Sequence, residues 1–420
     1  MSINSATQPA GKATGKMRYV GFLISNVVQK LGQLFLLSLL VFIGSPEDVN
    51  RFGLLISFLA LAVPVLSLNI HTSIGRVYYD IDDPDERSRY VISCLLFSVL
   101  GVSFGTILLS AIAMIGTYDD GLTNGNASFG IVLVITAAVF TINQFFNLLL
   151  RLEGKILPFI IFGVTTGLGS LVFSLLGVWA SIAPLYAAIV GYSGAQIAAI
   201  IVGICFARGD LSSLGLSFSK FKIALAYSSG TLIMAVAQWV VNYSGRWIGA
   251  SWVQAEELAS YTLVGQLLVG VAMMCSTLYE SSRSEIIRQF SGGNIDAAMK
   301  VIHNRYLDSL KLVMLIFGTG FLTYPFVGFI LPREYNFPFI WMIAAFFQML
   351  AYCFSLRTSW TAIGLYRSKV FGVSAIVGAV CNISLALSIG PKFGLSILFF
   401  AAGLGLLLQA VITQLVLRKI

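Results

Sequence analysis

YVGFLISNVVQKLGQLFLLSLLVFI, residues 19–43, decides the fold class of this chain. About 20 apolar residues suffice to cross a bilayer as one helix, and this run exceeds that length. Yet Lys30 sits near its middle. A charged residue at bilayer depth is costly unless it faces an interior cavity or carries function. The stretch therefore predicts a membrane-spanning helix that turns one polar side inward, toward other helices. Asn26, Lys30 and Gln33 recur at i, i+4 and i+7, which puts them on one face, and Gln29 broadens the stripe.

The remaining sequence repeats such runs. The chain has 420 residues, 57% hydrophobic and only 10% charged, with a mean hydropathy of +0.89. A soluble chain of that length needs far more charged surface, so a soluble protein is excluded. Apolar runs fall at roughly 18–43, 52–79, 90–115, 128–150, 156–178, 182–206, 222–249, 258–279, 312–331, 338–366, 369–389 and 394–417. These predict an all-α polytopic membrane protein with about 12 transmembrane helices. Residues 1–17 read as a disordered cytoplasmic tail, 18–206 as a first six-helix bundle, and 207–221 as a cytoplasmic linker. Residues 222–420 read as a second six-helix bundle. Within it, 280–311 is expected to lie along the membrane surface as an amphipathic segment, broken at Gly292-Gly293. The first run is too long for a signal-peptide core and lacks a cleavage site, so it reads as a retained helix.

Basic residues set the orientation. Leaving out Lys30, Arg246 and Arg357 inside the spans, 20 Lys and Arg fall on the side of both termini. Only Arg51, Arg333 and Lys392 fall on the other. That asymmetry places both termini in the cytoplasm. The net charge of +8 is then mostly anchoring against anionic lipid and calls for no nucleic-acid partner.

Polar residues within the spans are the candidate site. Gln238, Asn242 and Arg246 repeat on the seventh helix the face seen on the first. Arg76 ends the second helix, and Arg357 lies about two turns from the inner end of the tenth. Lone amides such as Asn147, Gln266, Gln348 and Gln409 are expected to join helices by hydrogen bonds. All 18 Asp and Glu lie near helix ends or in loops. An exporter of cations, or a proton relay, normally uses a deep acid, whereas this interior is net positive and favours an anion such as phosphate or pyrophosphate. Five cysteines lie within apolar runs and the two histidines are far apart, so no metal site follows. No P-loop, H-E-x-x-H or G-x-S-x-G pattern occurs, and no cofactor is expected.

Several segments resemble the polysaccharide transporters, the Wzx-like oligosaccharide flippases of the multidrug/oligosaccharidyl-lipid/polysaccharide exporter superfamily. LFLLSLLVFIGSPEDVNRFGLLISFLALA (residues 34–62) resembles the family's acidic outer turn followed by Phe-Gly, here Phe52-Gly53. SIGRVYYD (residues 73–80) resembles its Arg-then-aromatic helix end, here Arg76, Tyr78 and Tyr79. The segment from Gln238 to Leu267 is similar to one in which an Asp-Arg pair precedes a short outer loop; Gly245-Arg246 stands there instead. Glu334-Tyr335 fits the turn between the ninth and tenth helices, and Asn382, Pro391, Phe393 and Gly394 fit the final hairpin.

The resemblance implies a MATE-like fold of two six-helix bundles around a central cavity, working by alternating access. It implies a bacterial inner-membrane protein that flips a polyprenyl-pyrophosphate-linked oligosaccharide for O-antigen, capsule or exopolysaccharide assembly. Lys30 and Arg246 are then expected to compensate the pyrophosphate, with Arg76 and Arg357 guiding entry. Asn26, Gln29, Gln33, Gln238 and Asn242 are expected to meet sugar hydroxyls, while membrane lipid surrounds the prenyl tail. A glycan polymerase and chain-length proteins are partners by pathway logic. A multidrug exporter of the same fold, a membrane-embedded polymerase or ligase, and a non-transporting scaffold are the other readings open to the sequence.

Overall fold

The computed structural model describes residues 12–78, 81, 83–115, 127–153, 155–207, 215–217, 221–332, 334–365 and 367–418. The first-half helices are α1 (Lys12–Ile43), α2 (Pro46–Leu66), α3 (His71–Val77), α4 (Pro84–Ile115), α5 (Ala127–Leu152), α6 (Ile156–Trp179) and α7 (Pro184–Phe206). The second half holds α8 (Phe221–Gly249), α9 (Ala255–Glu280), α10 (Arg283–Ser291), α11 (Ile295–Ile330), α12 (Phe339–Gly364), α13 (Ser368–Phe393) and α14 (Ser396–Arg418). Setting aside the short α3 and α10 leaves twelve long helices. Eleven of them are long and apolar enough to cross a membrane among the described residues, and α8 is the twelfth. At 29 residues α8 is also long enough to cross, and with it twelve crossings return the chain to the side where it started. The start of α1 and the end of α14 therefore share one face, the termini face.

Each half is built to one plan. In the first half α6 packs on α1 and α7, α5 on α7, and α4 on α5. In the second half α13 packs on α8 and α14, α12 on α14, and α11 on α12. The pairings correspond one for one, as two copies of one six-helix bundle require. Glycine makes the closest approaches: a Cβ on Gly32 would overlap the Gly167 backbone, one on Gly167 the Val28 carbonyl, and one on Gly378 the Gly405 carbonyl. Small residues are the usual means of bringing helices together in lipid, where the hydrophobic effect gives little drive.

Two departures from the expected spans have physical causes. The single helix expected over 52–79 is broken into α2 and α3 by a turn at Ser67–Ile70. Leu68 (φ 50°) and Asn69 (φ 53°) adopt the left-handed region, which costs about 1–2 kcal/mol for each non-glycine residue. Pro64 lies one turn earlier, and Gly101 and Gly105 of α4 leave the space that Leu66 occupies. Second, the surface segment expected over 280–311 is shorter. Helix α10 ends before Gly293 (φ 74°), as the paired glycines suggested, but α11 begins at Ile295 and runs unbroken to Ile330. The side chains of α10 hold it down: Ile286 is fully buried and Phe290 fills the space over Gly364. Much of the expected tail (residues 1–11) and linker (208–214 and 218–220) lies outside the described residues.

The glycine seam is testable. Gly167→Ala should lower the thermal midpoint of the purified protein, because the added methyl meets backbone that cannot yield; about 1–3 kcal/mol is expected. Gly270→Ala, with open space around it, should be neutral or slightly stabilising by helix propensity. Equal effects would contradict this account of the packing.

Candidate substrate-binding site

Arg246 is the largest fully enclosed side chain, 2% exposed. It lies one turn before the end of α8, far from the termini face. Its Nη1 donates to the Gly53 carbonyl of α2 at 3.2 Å, across the boundary between the halves. Its Nη2 donates to Gln266 Oε1 at 3.2 Å and, more weakly, to the Thr262 carbonyl at 3.5 Å, both on α9. The guanidinium sits 5.3 Å from the Tyr243 ring centre. No carboxylate pairs with it among the described residues, and its Nε–H has no acceptor.

Two narrow cavities run from this residue along the second half. One, with a cavity volume of about 10 Å³, is lined by Arg246, Asn242, Tyr261, Gln348 and neighbouring apolar residues. The other, about 20 Å³, is lined by Gln238, Asn242, Ser355, Ser359 and Gln409 among others. Val241 and Asn242 line both, so they form one polar tract along two turns of α8. The i, i+4, i+8 spacing of Gln238, Asn242 and Arg246 is what puts these residues on one wall. The tract as it stands has room for little more than a water molecule at each cavity.

The halves are clasped at both ends. Toward the opposite face, Asn50 Nδ2 donates to the Ala255 carbonyl at 2.7 Å. Ser57 of α2 accepts twice from α8: its carbonyl from Trp239 Nε1 (2.6 Å) and its Oγ from Trp247 Nε1 (2.9 Å). Apolar packing joins in, with Ala259, Leu263 and Tyr335 of the second half in one cluster with Leu36, Leu40 and Phe52 of the first. Tyr335 lies in the loop before α12. Burial, helped by the nearby charges of Glu334 and Asp48, pushes its phenol up to about 12, so it stays neutral at physiological pH. Nearer the termini face, Thr231 of α8 meets the broken helix, taking a bond from Asn69 Nδ2 (3.1 Å) and sharing one with Thr72 (2.9 Å). The break between α2 and α3 turns Asn69 toward α8, and that contact is its structural result.

The other residues singled out from the sequence fall in different places. Asn26 and Gln29 belong to a separate polar cluster in the first half: Asn26 accepts from Arg151 (3.3 Å) and Gln29 from Asn147 (3.1 Å). Lys30 and Gln33 lie in α1, and Arg76 in α3, with side chains outside the described residues. Arg357 is half-buried and stacks on Tyr306 of α11 at 5.3 Å. It points away from Ser355 and Ser359, two residues either side on α12, which line the tract. The structure thus brings together Arg246, Asn242 and Gln238 but does not bring Arg357 to them. Gln266 and Gln348, expected only to join helices, touch or face Arg246. Tyr261 carried no signal in the sequence, since a lone Tyr in an apolar run reads as packing.

The fold has known relatives in shape. A eukaryotic MATE transporter, AtDTX14, superposes with a TM-score of 0.74 at 12% identity, covering 97% of this chain and 96% of that one. A point mutant of the Vibrio cholerae MATE transporter VcmN gives 0.71 at 15% identity, covering 97% of each chain. A MOP-superfamily transporter from Pyrococcus furiosus, described by a reversed polarity of its binding pocket, gives 0.66 at 14% identity over 97% and 95%. No family model and no curated protein matches the sequence. At these identities the likeness establishes the fold, that of the MATE-like exporters, and not the substrate.

The termini-side clasp gives a direct test. With the five native cysteines replaced, Thr72→Cys with Thr231→Cys should cross-link in membranes under mild oxidant. The cross-link should form in the wild-type arrangement and reverse with reductant. A pair that never cross-links would contradict the contact at Thr231.

Proposed function

We propose that this chain is a membrane transporter that moves an amphiphilic anion, specifically a polyprenyl-pyrophosphate-linked oligosaccharide, from one leaflet to the other. The observation that carries this reading is Arg246: a permanent charge, enclosed, facing a polar tract, with no acid beside it. Burying a guanidinium costs several kcal/mol, and bonds to neutral carbonyls and one amide offset that only in part. A residue so costly and so incompletely paired suits a ligand that completes it. A pyrophosphate offers acceptor oxygens to Nε–H and to the Nη groups, and the amides and hydroxyls of the tract suit sugar hydroxyls. The prenyl tail stays in lipid while the head passes between the halves, which exchange their two clasps by a population shift.

Export of small lipophilic molecules is the competing reading, favoured by the solved MATE transporters of the same shape, some described as multidrug resistance proteins. Charge separates the two. A cationic drug gains nothing from a buried Arg246 without a carboxylate. On the flippase reading the protein sits in a bacterial inner membrane with both termini cytoplasmic, feeding a glycan polymerase.

Arg246→Met tests the role of the charge. Replacing the guanidinium by an apolar residue of similar size removes its desolvation cost but leaves Gln266 Oε1 without its donor, so the two effects offset and unfolding stability is expected to change by no more than about 2 kcal/mol. In cells lacking the gene, the variant should leave the pyrophosphate-linked unit on the cytoplasmic leaflet despite normal protein levels. A variant that loses stability and keeps transport would assign Arg246 a purely structural role. Delivery of the unit to the outer leaflet without the gene would end the flippase reading.

A further inference from the structure

The cationic chemistry of the second half has a counterpart in the first that the proposed function does not use. Arg151 closes α5 near the termini face. One of its nitrogens, Nη2, donates to two amide oxygens, Asn26 Oδ1 of α1 at 3.3 Å and Asn147 Oδ1 at 3.2 Å. Asn147 in turn donates to Gln29 Oε1 at 3.1 Å. The guanidinium lies 5.5 Å from the ring centre of Phe159 on α6. Three helices therefore hold it in place. Among the described residues its enclosed Nε–H has no acceptor and no carboxylate pairs with it.

A bare helix-end arginine reaches for solvent, lipid phosphate or the last carbonyls of its own helix. Arg151 is half-buried, and its Nη2 turns onto two asparagines. Two acids of this region pair with other cations. Glu153 pairs with Lys155 at 2.8 Å, and Glu280, across the boundary between the halves, pairs with Arg283 at 3.4 Å. Glu280 and Arg283 both act electrostatically on Arg151, with opposite signs and the carboxylate the more strongly.

We propose that Arg151, oriented by Asn26 and Asn147, is an anion-binding site of the first half, specific for a phosphate or diphosphate group. It deepens the proposed function and rests on it for the identity of the transported head. The free donors, Nε–H and Nη1, take phosphate oxygens once the halves part at the termini face. Arg151 and Arg246 then stand near opposite faces, one in each half, so a diphosphate meets a cation at the start and at the end of its passage.

The test is binding to the full-length protein in phosphatidylcholine nanodiscs, with farnesyl diphosphate and inorganic pyrophosphate as probes. A second arm counts phosphatidylglycerol retained from mixed nanodiscs. Arg151→Gln should weaken farnesyl diphosphate about tenfold, the loss of one charge-assisted contact. Asn26→Asp is the decisive companion. It sets a carboxylate beside the guanidinium, so a merely structural Arg151 would be held more firmly, whereas a binding Arg151 would be neutralised and lose the probe by a similar factor. Loss of phosphatidylglycerol alone in both variants keeps the phosphate site, assigns it to lipid headgroups and counts against the diphosphate substrate. Binding that falls only with Arg246→Gln, and is untouched by both Arg151→Gln and Asn26→Asp, overturns the site and leaves the proposed function standing.

Discussion

The structure depends on a charge that is not neutralised. Arg246 is enclosed at the end of α8 and bonded to one carbonyl of α2 and to two groups of α9. Those bonds tie the two halves together at the point where the polar tract ends. An apolar residue of like size would tie them at less cost, because it would carry no desolvation penalty. On the proposed function the arrangement is a site kept open to an anion rather than cement, and the clasp and the binding group are one residue. An anion that took the guanidinium would also take it from Gly53, coupling occupancy of the tract to the contact between the halves.

The rest of the architecture serves that coupling. Helix α2 is the ridge that α8 and α9 meet, through Asn50, Gly53 and Ser57 at one end and through the turn at Asn69 at the other. Breaking the helix at Ser67–Ile70 costs backbone strain, and the glycines of α4 make room for it. Within each half the close glycine seams keep α6 with α7 and α13 with α14 as firm pairs. Firm bundles joined by a few polar contacts are what a rigid-body exchange between two states requires.

Much of this was legible from residues alone, for reasons of period and cost. Twelve apolar runs predicted twelve long helices because hydrocarbon thickness sets their length. Gln238, Asn242 and Arg246 were placed on one wall by helical spacing, and the tract contains all three. The break in the second helix was not legible: Leu68 and Asn69 lie in an apolar run, and only the shape of α4 selects the turn. Nor was the start of α11 at Ile295, since charged residues 296–311 read as surface whether or not the helix continues. Arg151 looked like an ordinary basic anchor at a helix end. Its inward turn depends on Asn26, some 125 positions away in sequence, which no local pattern reports.

The measurement that bears most directly on the central claim is the charge selectivity of the purified wild-type protein. Farnesyl diphosphate and tetraphenylphosphonium, a lipophilic anion and a lipophilic cation, would be titrated into the same nanodiscs at fixed ionic strength. The account predicts that the diphosphate binds at least about tenfold more tightly, as one charge-assisted contact against a repelled cation implies, and that added salt weakens it. Tighter binding of the cation would contradict it and would make this chain an exporter of cations.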